Sequence, residues 1–138
     1  MSSAAPKNTF DVAVVGLGPV GSLGAILFAE AGLRVVALER QTEVWALPRA
    51  VNLDGEIIRA LQPAGLARPV QQLMQPLREG ERAGFVNSRR EWLFGGDVRP
   101  IGSNGWQPAN MFDQPELDAF LRKTARSHPN VTTYIGHE

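Results

Sequence analysis

The sequence contains no cysteine, and this absence excludes several kinds of chemistry. Without a thiol the chain forms no disulfide, offers no thiolate to a metal and has no cysteine nucleophile. It has only two histidines, His128 and His137, and no clustered carboxylates beside them, so the sequence predicts no metal site. The absence of cysteine fits a reducing compartment, and we predict a cytoplasmic protein.

Net charge and long apolar runs are also missing. Fourteen Lys and Arg residues balance fourteen Asp and Glu residues, so there is no long-range attraction to nucleic acid or to an anionic membrane. The longest apolar run, residues 23–29, is far shorter than the ~18–20 residues that span a bilayer. Residues 1–10 lack the apolar region of a signal peptide. We therefore expect no nucleic-acid or membrane partner. Residues 1–8 are mostly small and polar, and we expect them to form a disordered leader.

A strand–helix–strand pattern opens the remaining sequence. The β-branched run 10–15 stops at a glycine, which is typical of a buried parallel strand. A helix is predicted over residues 19–31, with Gly32 at its end, and a second strand over residues 33–38. Because this is the order and size of one βαβ unit, the sequence predicts an α/β fold with a parallel sheet.

Smaller elements are predicted further along the chain. Asn52 is expected to cap a helix over residues 53–61, and a short helix is expected over residues 67–77. The apolar segments 84–86 and 92–94 flank a polar stretch and predict a β-hairpin. The remaining predicted elements are a loop over 95–110, a helix that starts at Asp113 with Glu116 at capping-box spacing, and a strand over 131–135.

The turn between the first strand and its helix has the spacing G-x-G-x-x-G, with Gly16, Gly18 and Gly21. Gly16 is expected to turn the chain out of the strand, Gly18 to let a pyrophosphate approach the main chain, and Gly21 to let helix and strand pack closely. The helix start, where Pro19 and Val20 complete the loop, offers free N–H groups to an anion. The strand before the loop and the helix after it are what make this spacing informative.

Glu39 ends the second strand, at about the 20-residue separation expected of the acid that accompanies such a loop. A carboxylate there accepts hydrogen bonds from both ribose hydroxyls of an adenosine and repels a 2′-phosphate, which argues against NADP at this site. The loop and Glu39 together predict an ADP-type ligand. They do not separate FAD from NAD, because both cofactors contain the same ADP half.

Two motifs after the second strand resemble the class A flavoprotein monooxygenases, the single-component aromatic hydroxylases related to hydroxybenzoate hydroxylase. One motif is Glu39-Arg40 followed by residues 47–53, which include Pro48-Arg49-Ala50. The other is residues 105–117, which include Gln114-Pro115-Glu116-Leu117 and are most similar to the hydroxyphenylpropionate hydroxylases. The resemblance implies a Rossmann-like (GR2-type) FAD-binding domain with a parallel sheet, a βαβ start and a small β-hairpin. It assigns residues 9–138 to the N-terminal part of that domain.

The resemblance also implies which residues bind FAD. Gly16, Gly18, Pro19, Val20 and Gly21 would hold the pyrophosphate, Glu39 the adenosine ribose, Arg40 the adenine and ribose edge, Arg49 the pyrophosphate, and Gln114 the ribityl–phosphate stretch.

The activity that the resemblance implies is hydroxylation of a small phenolic compound. In this family NADH or NADPH reduces the flavin, and a flavin hydroperoxide then transfers oxygen to the ring, so no catalytic side chain is expected in this part. The family's later Asp-Gly and Gly-Asp motifs and its substrate-binding sheet are absent from the sequence. We therefore expect an incomplete FAD-binding domain that is inactive in isolation. Two alternatives stay open, an NAD-binding dehydrogenase domain and a non-catalytic FAD-binding remnant.

Overall fold

The computed structural model describes residues 9–99 and 101–137, and it divides the chain into two compact units. The first unit comprises Met1–Pro48 and Gln114–Glu138, and the second comprises Arg49–Asp113. The leader predicted for residues 1–8 lies outside the described residues. In chain order the elements are β1 (Val12–Val15), α1 (Pro19–Glu30), β2 (Val35–Glu39), β3 (Asn52–Leu53), α2 (Gly55–Ala60), α3 (Ala67–Gln71), β4 (Met74–Pro76), β5 (Arg82–Val86), β6 (Trp92–Asp97), β7 (Asn110–Phe112), α4 (Gln114–Ser127) and β8 (Val131–Ile135).

The first unit is built on a parallel sheet with the strand order β1-β2-β8. Val35 of β2 pairs with Val12 on one side and with Val131 on the other. Burial alternates along β2, where Val35, Ala37 and Glu39 are buried and the residues between them are half-buried. Helices α1 and α4 pack against each other and both contact β8. The predicted α/β fold with a parallel sheet and a βαβ start is confirmed.

Local sequence explains where α1 begins and ends. Pro19 occupies the first turn, where its missing N–H removes no intrahelical hydrogen bond. At the other end Gly32 adopts a φ of 84°, a left-handed conformation that favours glycine. Its N–H donates to the Ala29 carbonyl at 2.9 Å, and the Leu33 N–H donates to the Phe28 carbonyl at 3.1 Å. This is the Schellman pattern, which satisfies the last carbonyls of the helix and turns the chain toward β2.

The second unit contains the antiparallel sheet β3-β7-β4 and the separate hairpin β5–β6. The β-hairpin predicted from segments 84–86 and 92–94 is confirmed. Across it, the rings of Phe85 and Phe94 stack with their centroids 4.5 Å apart. Asn110, which is 1 % exposed, donates from its amide to the carbonyls of Leu53 and Gln107 at 3.3 and 3.1 Å. This buried amide therefore ties β3 and β7 to the loop before β7.

Three local predictions in the second unit are wrong. Asn52 does not cap α2, because it lies in β3, where its backbone pairs with Met111 of β7. Asp54 is the cap, and its side chain accepts from the Glu56 and Ile57 N–H groups at 3.0 and 3.1 Å. The helix predicted over 67–77 ends at Gln71, and the loop predicted over 95–110 is shortened at both ends by β6 and β7. The short strands β3, β4 and β7 depend on pairing partners distant in sequence, which a local pattern does not contain.

Candidate functional site

The glycine loop joins β1 to α1, and its first glycine is required by backbone conformation. Gly16 has a φ of 94°, which residues with a side chain rarely adopt. Its N–H donates to the Leu38 carbonyl at 2.7 Å, so the turn is anchored to β2. A Cβ built on Gly16 would meet nothing within 4 Å. The requirement at this position is therefore the left-handed backbone and not the available space.

The other two glycines of the loop differ from Gly16 and from each other. A Cβ on Gly21 would overlap the carbonyl oxygen of Gly16 and lie 3.5 Å from Cγ1 of Val14, so Gly21 allows α1 to pack against the turn. Gly18 has a φ of −74° and a ψ of −170°, which any residue adopts, and a Cβ there would meet nothing within 4 Å. The packing of this chain therefore does not explain a glycine at position 18. Space reserved for a closely approaching ligand does explain it.

The start of α1 presents backbone donors next to that open space. The first N–H groups of a helix have no intrahelical acceptor, and the first turn of α1 carries no acidic side chain that would compete for them. Val20, in this turn, is 83 % exposed. Pro19 has no N–H, and the Ser22 N–H donates to the Gly18 carbonyl at 2.9 Å. The turn thus contributes the N–H groups of Val20 and Gly21, and the helix dipole favours an anion at this end. A pyrophosphate fits this donor set.

Leu17, between the first two glycines, anchors the loop. Its side chain is fully buried, and its carbonyl accepts from the hydroxyl of Ser22, also fully buried, at 3.2 Å. Its N–H donates to Oε2 of Glu39 at 2.7 Å. Both backbone groups of Leu17 are therefore engaged, and these hydrogen bonds fix the orientation of the two peptides that flank Leu17, including the one that leads to Gly18.

Glu39, at the end of β2, is 8 % exposed and holds two segments through its carboxylate. Oε2 accepts from the Leu17 N–H, and Oε1 accepts from the Gln41 N–H at 2.8 Å. Burial alone would raise the pKa of Glu39, but these two backbone donors and the charges of Arg122 and Arg40 outweigh it and hold the pKa below its ordinary value. Glu39 is therefore ionised at neutral pH. Each carboxylate oxygen has two lone pairs, so acceptor capacity remains for ribose hydroxyls.

Arg122 of α4 provides the counter-charge. Its Nη2 lies 3.7 Å from Oε2 of Glu39, and both side chains are 10 % exposed. Its Nε donates to the Leu17 carbonyl and its Nη1 to the Gln41 carbonyl, each at 3.2 Å. The structure thus joins the glycine loop, the segment after β2 and α4 through one buried ion pair.

The remaining residues predicted to bind FAD lie in three places. Arg40 follows Glu39 and is exposed. Gln114 is the first residue of α4, is 8 % exposed and approaches Asp118 Oδ2 with its Nε2 at 3.5 Å. Arg49 is exposed and is the first residue of the second unit. The structure therefore brings the glycine loop and Glu39 together, and the roles of Arg40, Arg49 and Gln114 stay predictions.

No sequence pattern predicted a role for Leu17, Ser22 or Arg122. Leu17 occupies a variable position of the glycine motif, where the motif itself sets no requirement. Arg122 belongs to a stripe of polar residues on α4, with Gln114 and Asp118 at intervals of four, and all three are buried. Polar residues at helical spacing ordinarily indicate a solvated face. Their burial depends on the packing of α4 in this unit, so the sequence carried no clear signal for them.

Comparison with known proteins identifies relatives of the whole described chain. The sequence profile of a family described as "FAD binding domain" matches residues 9–138. The 3-(3-hydroxy-phenyl)propionate/3-hydroxycinnamic acid hydroxylase of Comamonas testosteroni is 30% identical over 97% of this chain and 22% of its own length. A probable NADH-specific resorcinol 4-hydroxylase of Rhodococcus jostii is 36% identical over 92% of this chain and 23% of its own length. This chain thus spans less than a quarter of these two relatives.

Solved structures show the same fold. The p-nitrophenol 4-monooxygenase PnpA of Pseudomonas putida matches with a TM-score of 0.74 and 26% identity, over 91% of this chain and 31% of that one. The flavin-dependent monooxygenase PieE, solved with FAD and substrate, matches with a TM-score of 0.75 and 19% identity, over 97% of this chain and 25% of that one.

Across residues 9–99 and 101–137, no helix combines the length and hydropathy needed to cross a bilayer.

Proposed function

The chain belongs to the FAD-binding domain family, and on this premise we propose that it supplies the ADP-binding site of an NAD(P)H-dependent flavoprotein monooxygenase that hydroxylates a phenolic compound. The observation that carries the proposal is the open space at Gly18, beside N–H groups that have no intrahelical acceptor and an ionised, buried Glu39. A diphosphate needs the first two features, and an adenosine ribose needs the third.

Each part of the site has a stated task in this proposal. Gly16, Gly18, Pro19, Val20 and Gly21 hold the pyrophosphate, and Arg49 neutralises its charge. Glu39 accepts from the ribose, Arg40 lies along the adenine and ribose, and Gln114 binds the ribityl–phosphate stretch. FAD, when bound, supplies the redox and oxygen-transfer chemistry. The chain's own residues bind and orient it, which is why a site made of glycines, backbone groups and one carboxylate requires no nucleophile.

The substrate class rests on the relatives. Their names specify hydroxyphenylpropionate, resorcinol and p-nitrophenol, each a small ring that bears a hydroxyl group. We propose a compound of this class as substrate for this protein too. The relative from Rhodococcus jostii is named as NADH-specific, and the choice between NADH and NADPH here stays open. The cytoplasmic location stays a prediction of the sequence.

The match to the FAD-binding domain and to aromatic hydroxylases favours FAD over an NAD-binding dehydrogenase domain. Thermal unfolding of the purified chain with increasing FAD or NADH tests this choice. At a hundred times its Kd, a ligand that binds only the folded chain stabilises it by ~2.7 kcal/mol. We expect FAD to raise the midpoint at concentrations at which NADH has no effect. Stabilisation by NADH alone would refute FAD as the ligand.

The non-catalytic alternative requires a separate assay. NADH oxidation and product formation are measured with the purified chain, FAD and a hydroxyphenylpropionate. Our prediction from the sequence is that the isolated chain forms no product even where FAD binds. Hydroxylation coupled to NADH oxidation would contradict that prediction while leaving the FAD site intact.

A further inference from the structure

Arg122 and Glu39 hold the same two backbone segments, Glu39 through their N–H groups and Arg122 through their carbonyls. Leu17 donates its N–H to Glu39 and accepts at its carbonyl from Arg122. Gln41 repeats the pattern, since its N–H donates to Glu39 and its carbonyl accepts from Arg122. The two charged groups lie 3.7 Å apart. One ion pair therefore satisfies the backbone N–H and the carbonyl of two residues, Leu17 in the glycine loop and Gln41 after β2.

We propose that Arg122 is a positioning residue for adenosine recognition, which sets the carboxylate of Glu39 and the glycine loop in the geometry that receives the ribose and the diphosphate. This inference rests on the proposed ADP site. Arg122 contacts the carbonyls of Leu17 and Gln41 and lies 3.7 Å from the Glu39 carboxylate, and it acts through Glu39 and the backbone.

The chemistry of the guanidinium explains why an arginine stands here. A planar guanidinium presents donors in fixed directions, so Nε, Nη1 and Nη2 reach three different acceptors at once. A lysine ammonium is a point charge on a flexible stem and does not fix two carbonyls in one plane. The buried charge also adds to the two backbone donors that keep the carboxylate ionised where water is largely excluded, since both side chains are only 10 % exposed. A hydroxyl-binding carboxylate is thereby held charged and oriented before any ligand arrives.

The experiment measures the preference of the chain for ADP over 2′-deoxy-ADP, by calorimetric titration of the purified chain with each nucleotide. The difference isolates the ribose hydroxyl that Glu39 is proposed to receive. A hydrogen bond to a charged acceptor changes Kd by about tenfold or more, so we expect the unmodified chain to prefer ADP by about that factor. Arg122→Met and Glu39→Gln are each expected to reduce the preference to about threefold or less. The double variant should show no further reduction, because both changes remove the same contact.

Arg126→Met is the matched control, because it removes an exposed arginine from the same helix. It should keep the full preference. Circular dichroism establishes that each variant is folded. Where Arg122→Met is not folded, Arg122→Lys decides the question, with an expected preference of about threefold.

The outcomes separate the two proposals. A folded Arg122→Met chain, or in its place Arg122→Lys, that keeps the full preference for ADP overturns the positioning role and leaves the nucleotide site standing. A loss of the preference equal to that in Glu39→Gln supports the role. If the unmodified chain binds neither ADP nor FAD, the proposed function fails, and the role of Arg122 fails with it.

Discussion

Replacing Gly18 with alanine should separate the stability of the fold from its capacity to bind a nucleotide. The backbone at Gly18, with φ −74° and ψ −170°, is accessible to alanine, and the new Cβ would meet no atom of the chain within 4 Å. The fold therefore has no steric reason to reject Gly18→Ala. A pyrophosphate that approaches the loop does meet that methyl group. The variant should fold normally and bind FAD poorly.

The expected change in stability is the sum of two small opposing effects. Restricting the unfolded chain stabilises a Gly→Ala variant by about 0.4–1 kcal/mol where the native backbone is compatible. Gly18 is also the N-cap of α1, where alanine is worse than glycine by roughly 0.5–1 kcal/mol. These effects nearly cancel, so the free energy of unfolding should change by no more than about 0.5 kcal/mol. The Kd for FAD should rise at least about tenfold, since the methyl group displaces the phosphate from its donors.

Two other glycines of the same segment are matched controls. Gly21→Ala places a Cβ onto the carbonyl of Gly16, and the overpacking should cost about 2 kcal/mol after the gain in helix propensity is included. Gly24→Ala lies one turn further along α1, where the nearest atom is the Phe28 ring at 4.0 Å. It should raise the free energy of unfolding by about 0.5–1 kcal/mol through helix propensity and keep the FAD affinity. Urea unfolding and FAD titration of the three variants give the result. Wild-type FAD affinity in Gly18→Ala, or a loss of stability as large as in Gly21→Ala, would refute the assignment of the open space to the ligand.

The remaining predictions concern charge, capping and packing. Glu39→Gln should lower the free energy of unfolding at about pH 7 by about 2–4 kcal/mol, because an amide leaves a buried backbone N–H without an acceptor and removes the counter-charge of Arg122. Since the folded-state pKa of Glu39 lies below its ordinary 4.5, that difference should be complete above pH 4.5 and shrink as the pH falls through the folded-state pKa, as urea unfolding at several pH values would show. Asp54→Ala should cost about 1 kcal/mol in urea unfolding, since it removes the cap of α2, and Asp54→Asn should restore most of it. Gly55→Ala should lower the melting temperature, because its Cβ would lie 2.8 Å from the Asn104 amide nitrogen and 3.0 Å from the Gln107 carbonyl oxygen; an unchanged melting temperature would mean that this loop adjusts freely.

The parts of the fold that the sequence predicted correctly are those with a local cause. Pro19 and Gly32 mark the two ends of α1, and the predicted strand over 131–135 coincides with β8. The run 10–15 does form a parallel strand, but the prediction that this strand is buried is wrong. Its residues are half-buried or exposed, with Val15 84 % exposed, because β1 lies at an edge of the sheet β1-β2-β8. The wrong predictions of secondary structure fall in Arg49–Asp113, where strands of two or three residues pair across long separations. Strands this short have no periodicity to detect, and tertiary pairing decides their position.

The candidate site divides in the same way. The glycine spacing and Glu39 could be predicted because they lie on one continuous βαβ unit, at the separation that we propose an ADP ligand requires. Arg122 is not visible, because it lies 105 positions beyond Leu17 and meets the loop only through the packing of α4. A motif describes what a ligand requires of its contacts. It contains no information on the residues that hold those contacts in place.

The position of Glu39 illustrates why such supporting residues are required. We propose that Glu39 receives ribose hydroxyls as a charged carboxylate, yet this carboxylate is buried, and burial favours its neutral form. The Leu17 and Gln41 N–H groups and the Arg122 guanidinium reverse that preference. These same groups fix the glycine loop, so the charge state of the carboxylate and the shape of the phosphate site have a common cause. A change that frees either residue of the ion pair should therefore impair the recognition of ribose and of diphosphate together.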